Sequence, residues 1–271
     1  MKEIIDCHTH CDFSHDSTAP ARDMIESALA KGLSYFAITD HCDKDCEVLP
    51  GYEYIRQIDL PRRFEEIVRL RDEYRGRLDV AVGIEYGWLA AADPLYIEIN
   101  KQYETDIIIN SVHLVSGEDC YFAPFFDKRT RREAYTEYLQ DVSASVDAPY
   151  DYDVIGHIGY VIRKAPYEDK VMRYADYSDL LDEILRKLIA KGKALELNSH
   201  AEGTGLDFLP EPDTLRRYRE LGGELVTFGS DAHAPENIAR NFDLVCEALK
   251  AAGFKYLFKY KAHSPIAIKL D

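Results

Sequence analysis

Residues 4 to 17 read IIDCHTHCDFSHDS, which sets three His, three Asp and two Cys in fourteen positions. In an extended segment, residues two apart share a face. Asp6, His8 and His10 then point one way, and Cys7, Thr9 and Cys11 the other. Two imidazoles on one face can ligate a single metal ion, with the thiols packed behind. The C-x-x-x-C spacing of Cys7/Cys11 and Cys42/Cys46 would suit a zinc ribbon, but the alternation turns these thiols away from the histidines. H-x-H alone is a weak signal, because two solvated histidines would look the same.

The remainder of the chain repeats the chemistry. Seven short apolar runs each end in a polar or titratable cluster: EIIDCHTH (3–10), LSYFAITDH (33–41), LDVAVGIEY (78–86), DIIINSVH (106–113), YDVIGHIGY (152–160), ALELNSH (194–200) and LVTFGSDAH (225–233). Of the nine His, seven lie at or just past the end of such a run: His8, His10, His41, His113, His157, His200 and His233. Glu85 and Asp231 hold equivalent places on two other runs. Imidazole nitrogens combined with carboxylates suit Zn, Fe or Mn. A carboxylate such as Glu85 can bridge two ions.

Elements of regular structure must bring these groups together. Near-continuous Val, Ile, Leu and Phe over four to six residues reads as a buried parallel strand. Helical segments separate most of the runs. In 17–32, Ser17 and Thr18 stand as candidate caps, Pro20 in the first turn, Met24, Ile25, Ala28 and Leu29 as the stripe, and Gly32 as the stop. In 60–76, Phe64, Ile67, Val68 and Leu70 form the stripe before Gly76, and 178–192 repeats the grammar between Ser178 and Gly192. A helix over 234–253 is expected between Pro235 and Gly253, and another, rich in Arg and Tyr, over 128–144. Strands alternating with helices imply parallel βα units. Seven units with titratable residues at their C-terminal ends point to an α/β barrel, whose working face lies at those ends. An open doubly wound sheet is the alternative, but no Gly-rich phosphate loop follows the first strand.

Bulk properties narrow the setting. The 271 residues are close to the length of one βα barrel, about 250 residues, so a single domain over 1–271 is expected. The formal charge of −16, from 33 Lys plus Arg against 49 Asp plus Glu, argues against a wide nucleic-acid interface. No stretch reaches the ~20 apolar residues of a membrane span and the N-terminus does not read as an export signal. Both readings point to the cytoplasm, where the six Cys are expected as free thiols.

The motifs DCHTHCDFSHDS, ITDH, GIEY, NSVH, VIGHIGYVIR, LELN and GSDAH occur in an order and spacing that resembles the PHP (polymerase and histidinol phosphatase) family, and within it the stand-alone histidinol-phosphatases of the HisK type. The resemblance spans residue 3 to about residue 260. It implies a distorted (β/α)7 barrel with three divalent metal ions (Zn, Fe or Mn) at the C-terminal ends of the strands. By motif, His8, His10, Glu85 and Asp231 would hold the first ion, Glu85 would bridge to a second on His113 and His157, and Asp16, His41 and His233 would take the third. SHDS offers both His15 and Asp16 for that last site, and the spacing from His10 favours Asp16.

The implied reaction is hydrolysis of a small phosphate monoester, with a metal-bridging hydroxide as nucleophile. Arg163, six residues past His157, would grip the phosphate. His200 is expected as proton donor or substrate contact. Asp6 and Asp40 are candidates for orienting the ligands, and His263 is expected to be structural. L-Histidinol phosphate is the expected substrate. The departures NSHAEG for NTSG and HIGY for HID leave another small ester open, such as a sugar phosphate or nucleoside bisphosphate. An amidohydrolase-type barrel also opens with H-x-H, but it usually bridges its metals with a Lys where this chain offers Glu85 and His113.

Overall fold

A computed structural model describes residues 3–53 and 55–270. Seven strands make the framework: β1 (Ile4–Asp6), β2 (Leu33–Ile38), β3 (Asp79–Gly87), β4 (Ile107–Ser111), β5 (Val154–Ile155), β6 (Ala194–Asn198) and β7 (Val226–Gly229). Each pairs in parallel with the next in sequence. The ring is drawn together between β7 and β1 by Cys7 N to Phe228 O at 2.9 Å, Asp231 N to His8 O at 2.8 Å and His10 N to Ala232 O at 2.9 Å. The result is a nearly closed (β/α)7 barrel. An open doubly wound sheet would lack this seam.

The regular strands are shorter than the apolar runs suggest. β1 stops at Asp6, and β5 is two residues long. Beyond them the chain leaves the extended path: His157 has φ +20° and Asp231 φ +52°. These two excursions lie just past β5 and β7, at two of the residues that meet in the mouth. A non-glycine residue at positive φ is uncommon, and Asp is among the types that tolerate it.

Helices α1 (Ala21–Ala30), α2 (Leu60–Glu73), α3 (Asp93–Gln102), α4 (Arg131–Ser145), α5 (Ser178–Lys191), α6 (Pro212–Glu220) and α7 (Phe242–Ala251) accompany the strands. Helix α1 buries Met24, Ile25 and Ala28 as its stripe requires. Its expected caps are absent: Pro20 occupies the N-cap position, and Ser17 Oγ instead donates to His233 O at 2.8 Å. Helix α2 is capped by Asp59, which accepts from Arg62 N, and α4 by a Thr130/Glu133 capping box.

The helix expected over 234–253 is interrupted. A 3₁₀ turn at Pro235–Asn237 gives way to Ala239 and Asn241 at positive φ before α7 begins. The break serves β1, because Ala239 N donates to Asp6 Oδ2 at 2.9 Å.

Strands β8 (Tyr256–Lys261) and β9 (Ser264–Lys269) form an antiparallel hairpin that the apolar pattern does not announce. Its two-residue turn, Ala262 and His263, has φ of +46° and +62°, which fits the twist of paired strands. His263 Nδ1 lies 2.9 Å from Asp153 Oδ2, and its N–H donates to Asp106 O at 3.0 Å. His263 therefore fastens the hairpin beside the starts of β4 and β5. All six cysteines are buried, and none is part of a disulfide. Among the described residues no helix is long and apolar enough to cross a membrane.

Candidate metal centre

Glu85 organises the mouth. It sits near the end of β3 with no exposure to solvent. Its Oε1 lies 2.9 Å from His157 Nε2 and 3.4 Å from His113 Nε2. Its Oε2 lies 2.8 Å from His41 Nδ1, 3.4 Å from His8 Nε2 and 3.6 Å from His10 Nε2. The two oxygens thus divide five imidazoles between them, and Ser111 Oγ donates to Oε1 at 2.6 Å. Asp231 Oδ1 stands 3.2 Å from His10 Nε2 and 3.7 Å from His8 Nε2. Asp16, at the exposed rim, lies 3.0 Å from His233 Nε2 and 3.6 Å from His41 Nε2. His15 turns aside, with Nδ1 3.4 Å from Asp43 Oδ2. All nine residues singled out as candidate ligands therefore meet at one mouth.

His157 Nε2 and Glu85 Oε1 make a hydrogen bond at 2.9 Å, but several of the other donors face a common point without one. His8 Nε2 and His10 Nε2 are 3.1 Å apart. His41 Nδ1 and Glu85 Oε2, although 2.8 Å apart, are both buried without a hydrogen-bond partner, as are His157 Nδ1, His233 Nε2 and Asp43 Oδ1. Leaving one such atom unsatisfied costs about 1–3 kcal/mol. Ligands about 2.0–2.1 Å from a tetrahedral zinc ion lie roughly 3.3 Å from one another, and the separations around Glu85 and Asp231 fall near that value. Five groups each gather donor atoms within 4.8 Å: His8/His10/Glu85, Glu85/His113/His157, His10/His41/His233, His41/Asp43/His113 and His200/Asp231/His233. The residues fit divalent metal ions.

Against the effect of burial, the surrounding carboxylates raise His8 (Glu196 and Glu85) and His41 (Asp16 and Asp43) well above the ordinary histidine range and His113 (Glu85 and Asp43) to about 10, so metal ions bound by these rings compete with protons. Burial opposes ionisation of Glu85, yet His8, His41 and His113 hold its carboxyl well below the usual range. Asp231 is likewise held low against burial, chiefly by Arg163 and His8. Burial, reinforced by His233 and His41, pushes His10 down to about 3, so it is neutral as a ligand must be.

Several supporting residues escape the sequence reading. Glu196 Oε1 sits 2.6 Å from His8 Nδ1, and its Oε2 accepts from His157 N at 2.6 Å. Gly229 makes room for that pair: a Cβ there would stand 2.2 Å from Glu196 Oε1 and 2.6 Å from His8 Cβ. Asp43 Oδ1 lies 3.5 Å from His113 Nδ1. Partners on the far ring nitrogen set tautomer and ring orientation in metal sites. Glu196 left a trace, as an acid inside the apolar run ALELN. Asp6 does not reach the donors' side chains. Its carboxylate accepts from the backbone of Ser230 and Ala239, each at 2.9 Å, and so ties β1 to the loop after β7.

A cavity of about 570 Å³ opens over the donors, with Arg163, His200, Asp119, Tyr121, Phe122 and Tyr160 on its wall. A larger one, about 720 Å³, lies near the starts of β2 to β4 and contains none of the donor residues. Arg163 is buried, and its Nη2 donates to Asn198 Oδ1 at 2.9 Å and Asp231 Oδ2 at 2.8 Å. Its Nε has no partner. His200 is partly exposed, with Nδ1 3.6 Å from Asp231 Oδ2. Gly159 has φ +120°, a conformation open in practice only to glycine.

Fold and donors together define a class: a seven-stranded βα barrel with a donor set for metal ions at the C-terminal mouth of its strands. The PHP domain family matches residues 6–200, and the chain belongs to that family. It is 32% identical to the histidinol-phosphatase of Lactococcus lactis over 95% of this chain and 94% of that protein. It is 25% identical to the histidinol-phosphatase of Bacillus subtilis, over 89% of this chain and 98% of that one. The fold superposes on a crystal structure of histidinol phosphate phosphatase from L. lactis, complexed with Zn, L-histidinol and phosphate. That match has a TM-score of 0.89 and 29% identity, and covers 98% of this chain and 100% of the other.

Proposed function

We propose that this chain hydrolyses L-histidinol phosphate to L-histidinol and inorganic phosphate. The observation that carries the reading is Glu85. Its two oxygens meet two groups of imidazoles in the floor of a cavity, in a chain similar over nearly its whole length to a phosphatase crystallised with Zn, L-histidinol and phosphate.

His8, His10, Glu85 and Asp231 would hold one ion, Glu85, His113 and His157 a second, and Asp16, His41 and His233 a third. Bound there, divalent ions (Zn, Fe or Mn) supply a hydroxide nucleophile at neutral pH and positive charge opposite the phosphoryl oxygens. The protein's own groups do the rest. Arg163 grips the phosphate through the N–H groups that Asp231 and Asn198 leave free. His200, on the wall of the same cavity, hands a proton to the departing alkoxide. Asp119 with Tyr121 and Phe122 gives an acidic, aromatic surface suited to the cationic end of the substrate.

Substrate profiling tests the reading. L-Histidinol phosphate should exceed p-nitrophenyl phosphate, sugar phosphates and nucleoside bisphosphates in kcat/KM by at least about tenfold, the effect of roughly 1.4 kcal/mol. Preference for a sugar phosphate or nucleoside bisphosphate would move the assignment to another ester.

A second expected result concerns Arg163→Ala. A hydrogen bond to a charged group is worth about 1.5–3 kcal/mol, so KM should rise roughly ten- to a hundredfold. The measurement is made at saturating metal, because Asp231 also loses a partner. An unchanged KM would remove Arg163 from the phosphate site.

A further inference from the structure

Ser14 is fully buried in the turn that follows Cys11. Its hydroxyl lies 3.0 Å from His10 Nδ1 and 3.0 Å from Asp40 Oδ1, and it accepts from His41 N at 3.1 Å. A hydroxyl has one proton and two lone pairs to distribute. Asp40 also accepts from Cys11 N at 2.7 Å and from Arg63 Nε at 3.0 Å. Arg63 and Asp40 are both fully buried and form an ion pair, and a buried guanidinium of this kind is tolerated only opposite a charged partner. Asp40 is therefore a carboxylate, which can only accept, and the Ser14 proton must go to it. The His41 N–H can only donate, and it takes one Ser14 lone pair. The remaining lone pair faces His10 Nδ1, so that nitrogen must carry the proton. His10 Nε2, the atom beside His8, Glu85 and Asp231, is left with its lone pair outward.

The cation that anchors this arrangement comes from outside the barrel wall. Arg63 belongs to α2 and has no solvent exposure, and its Nη2 donates to Ile38 O at 2.6 Å. A buried guanidinium needs such partners, since an isolated buried charge is very costly.

We propose that Arg63, Asp40 and Ser14 form a relay that positions His10, setting its tautomer and ring orientation from helix α2. The proposal rests on the reading of His10 as a metal ligand, and the substrate plays no part in it.

The test uses the full chain loaded with zinc. In 15N spectra of histidine-labelled protein, with His10 assigned by comparison with His10→Gln, the wild type should show a protonated, exchange-protected Nδ1. Ser14→Ala should lose that protection, and Ser14→Thr, which restores a hydroxyl, should recover it. Competition with a chelator should show one zinc ion bound about ten- to a hundredfold more weakly in Ser14→Ala, with a change in the same direction in Arg63→Met. Thermal melts check that the variants are folded. A protected Nδ1–H that survives in Ser14→Ala, or zinc affinities equal to the wild type, would overturn the relay. Neither readout involves turnover. A chain that shows the relay but spares L-histidinol phosphate would therefore refute the proposed substrate alone.

Discussion

Glu85→Gln is expected to abolish turnover and to cost the protein part of its metal. The amide keeps the size of the side chain and removes its charge. It also replaces one oxygen with an NH2 group, which can donate but not ligate. Both carboxylate oxygens are engaged in the native arrangement: Oε1 with His113 and His157, Oε2 with His8, His10 and His41. Whichever way the amide settles, one group of imidazoles faces a nitrogen where it had an anionic oxygen. The charge stabilisation that metal ions contribute to phosphoryl transfer is several kcal/mol, so the loss should exceed about 10³-fold in kcat. Elemental analysis should show at least one ion fewer per chain. Turnover within tenfold of the wild type at full metal content would remove Glu85 from the centre of the mechanism.

Much of this site was legible because its residues fall at places the apolar pattern marks. Seven runs of Val, Ile, Leu and Phe end in titratable groups, and the seven strands form along those runs. Parallel strands in a barrel point their C-terminal ends to one mouth, so groups distant in sequence meet without any local signal of contact. Strand length was less legible. The pattern shows where apolar residues stop, whereas β5 ends at Ile155 and β7 at Gly229, each two residues before a residue at positive φ, His157 or Asp231.

Residues acting across elements were hidden for a different reason. Arg63 lies between Arg62 and Phe64 and reads locally as another solvated cation, yet Arg63, Ile67 and Leu70 share the buried stripe of α2. A charge at that position has to find a partner, and it finds Asp40. The spacing i, i+4, i+7 contained this information, but its partner was set by the barrel's closure. The 234–253 segment is not one helix: Ala239 and Asn241 take positive φ between its two parts, and the Ala239 N–H so freed donates to Asp6 Oδ2, a partner that the local pattern does not show.

The hydrolysis of an alkyl phosphate releases an alkoxide, a strong base that departs poorly without a proton. p-Nitrophenolate departs without help. If His200 donates that proton, His200→Ala should lower kcat for L-histidinol phosphate by about 10²-fold, the lower end of what positioned acid catalysis contributes. The loss with p-nitrophenyl phosphate should be only a few-fold. The geometry supplies the basis for this contrast. His200 lies on the cavity wall 3.6 Å from Asp231 Oδ2, the carboxylate oxygen that Arg163 also contacts. Its backbone N–H is fixed on Asn198 Oδ1 at 2.9 Å, so the ring hangs from an anchored position. A residue that merely contacts the substrate behaves differently, raising KM for L-histidinol phosphate while leaving kcat unchanged. Measuring kcat and KM for both esters, at saturating metal, separates the two roles. Equal losses of kcat with the two leaving groups would mean that the proton reaches the alkoxide from elsewhere, and that His200 serves the site only through its contact with Asp231.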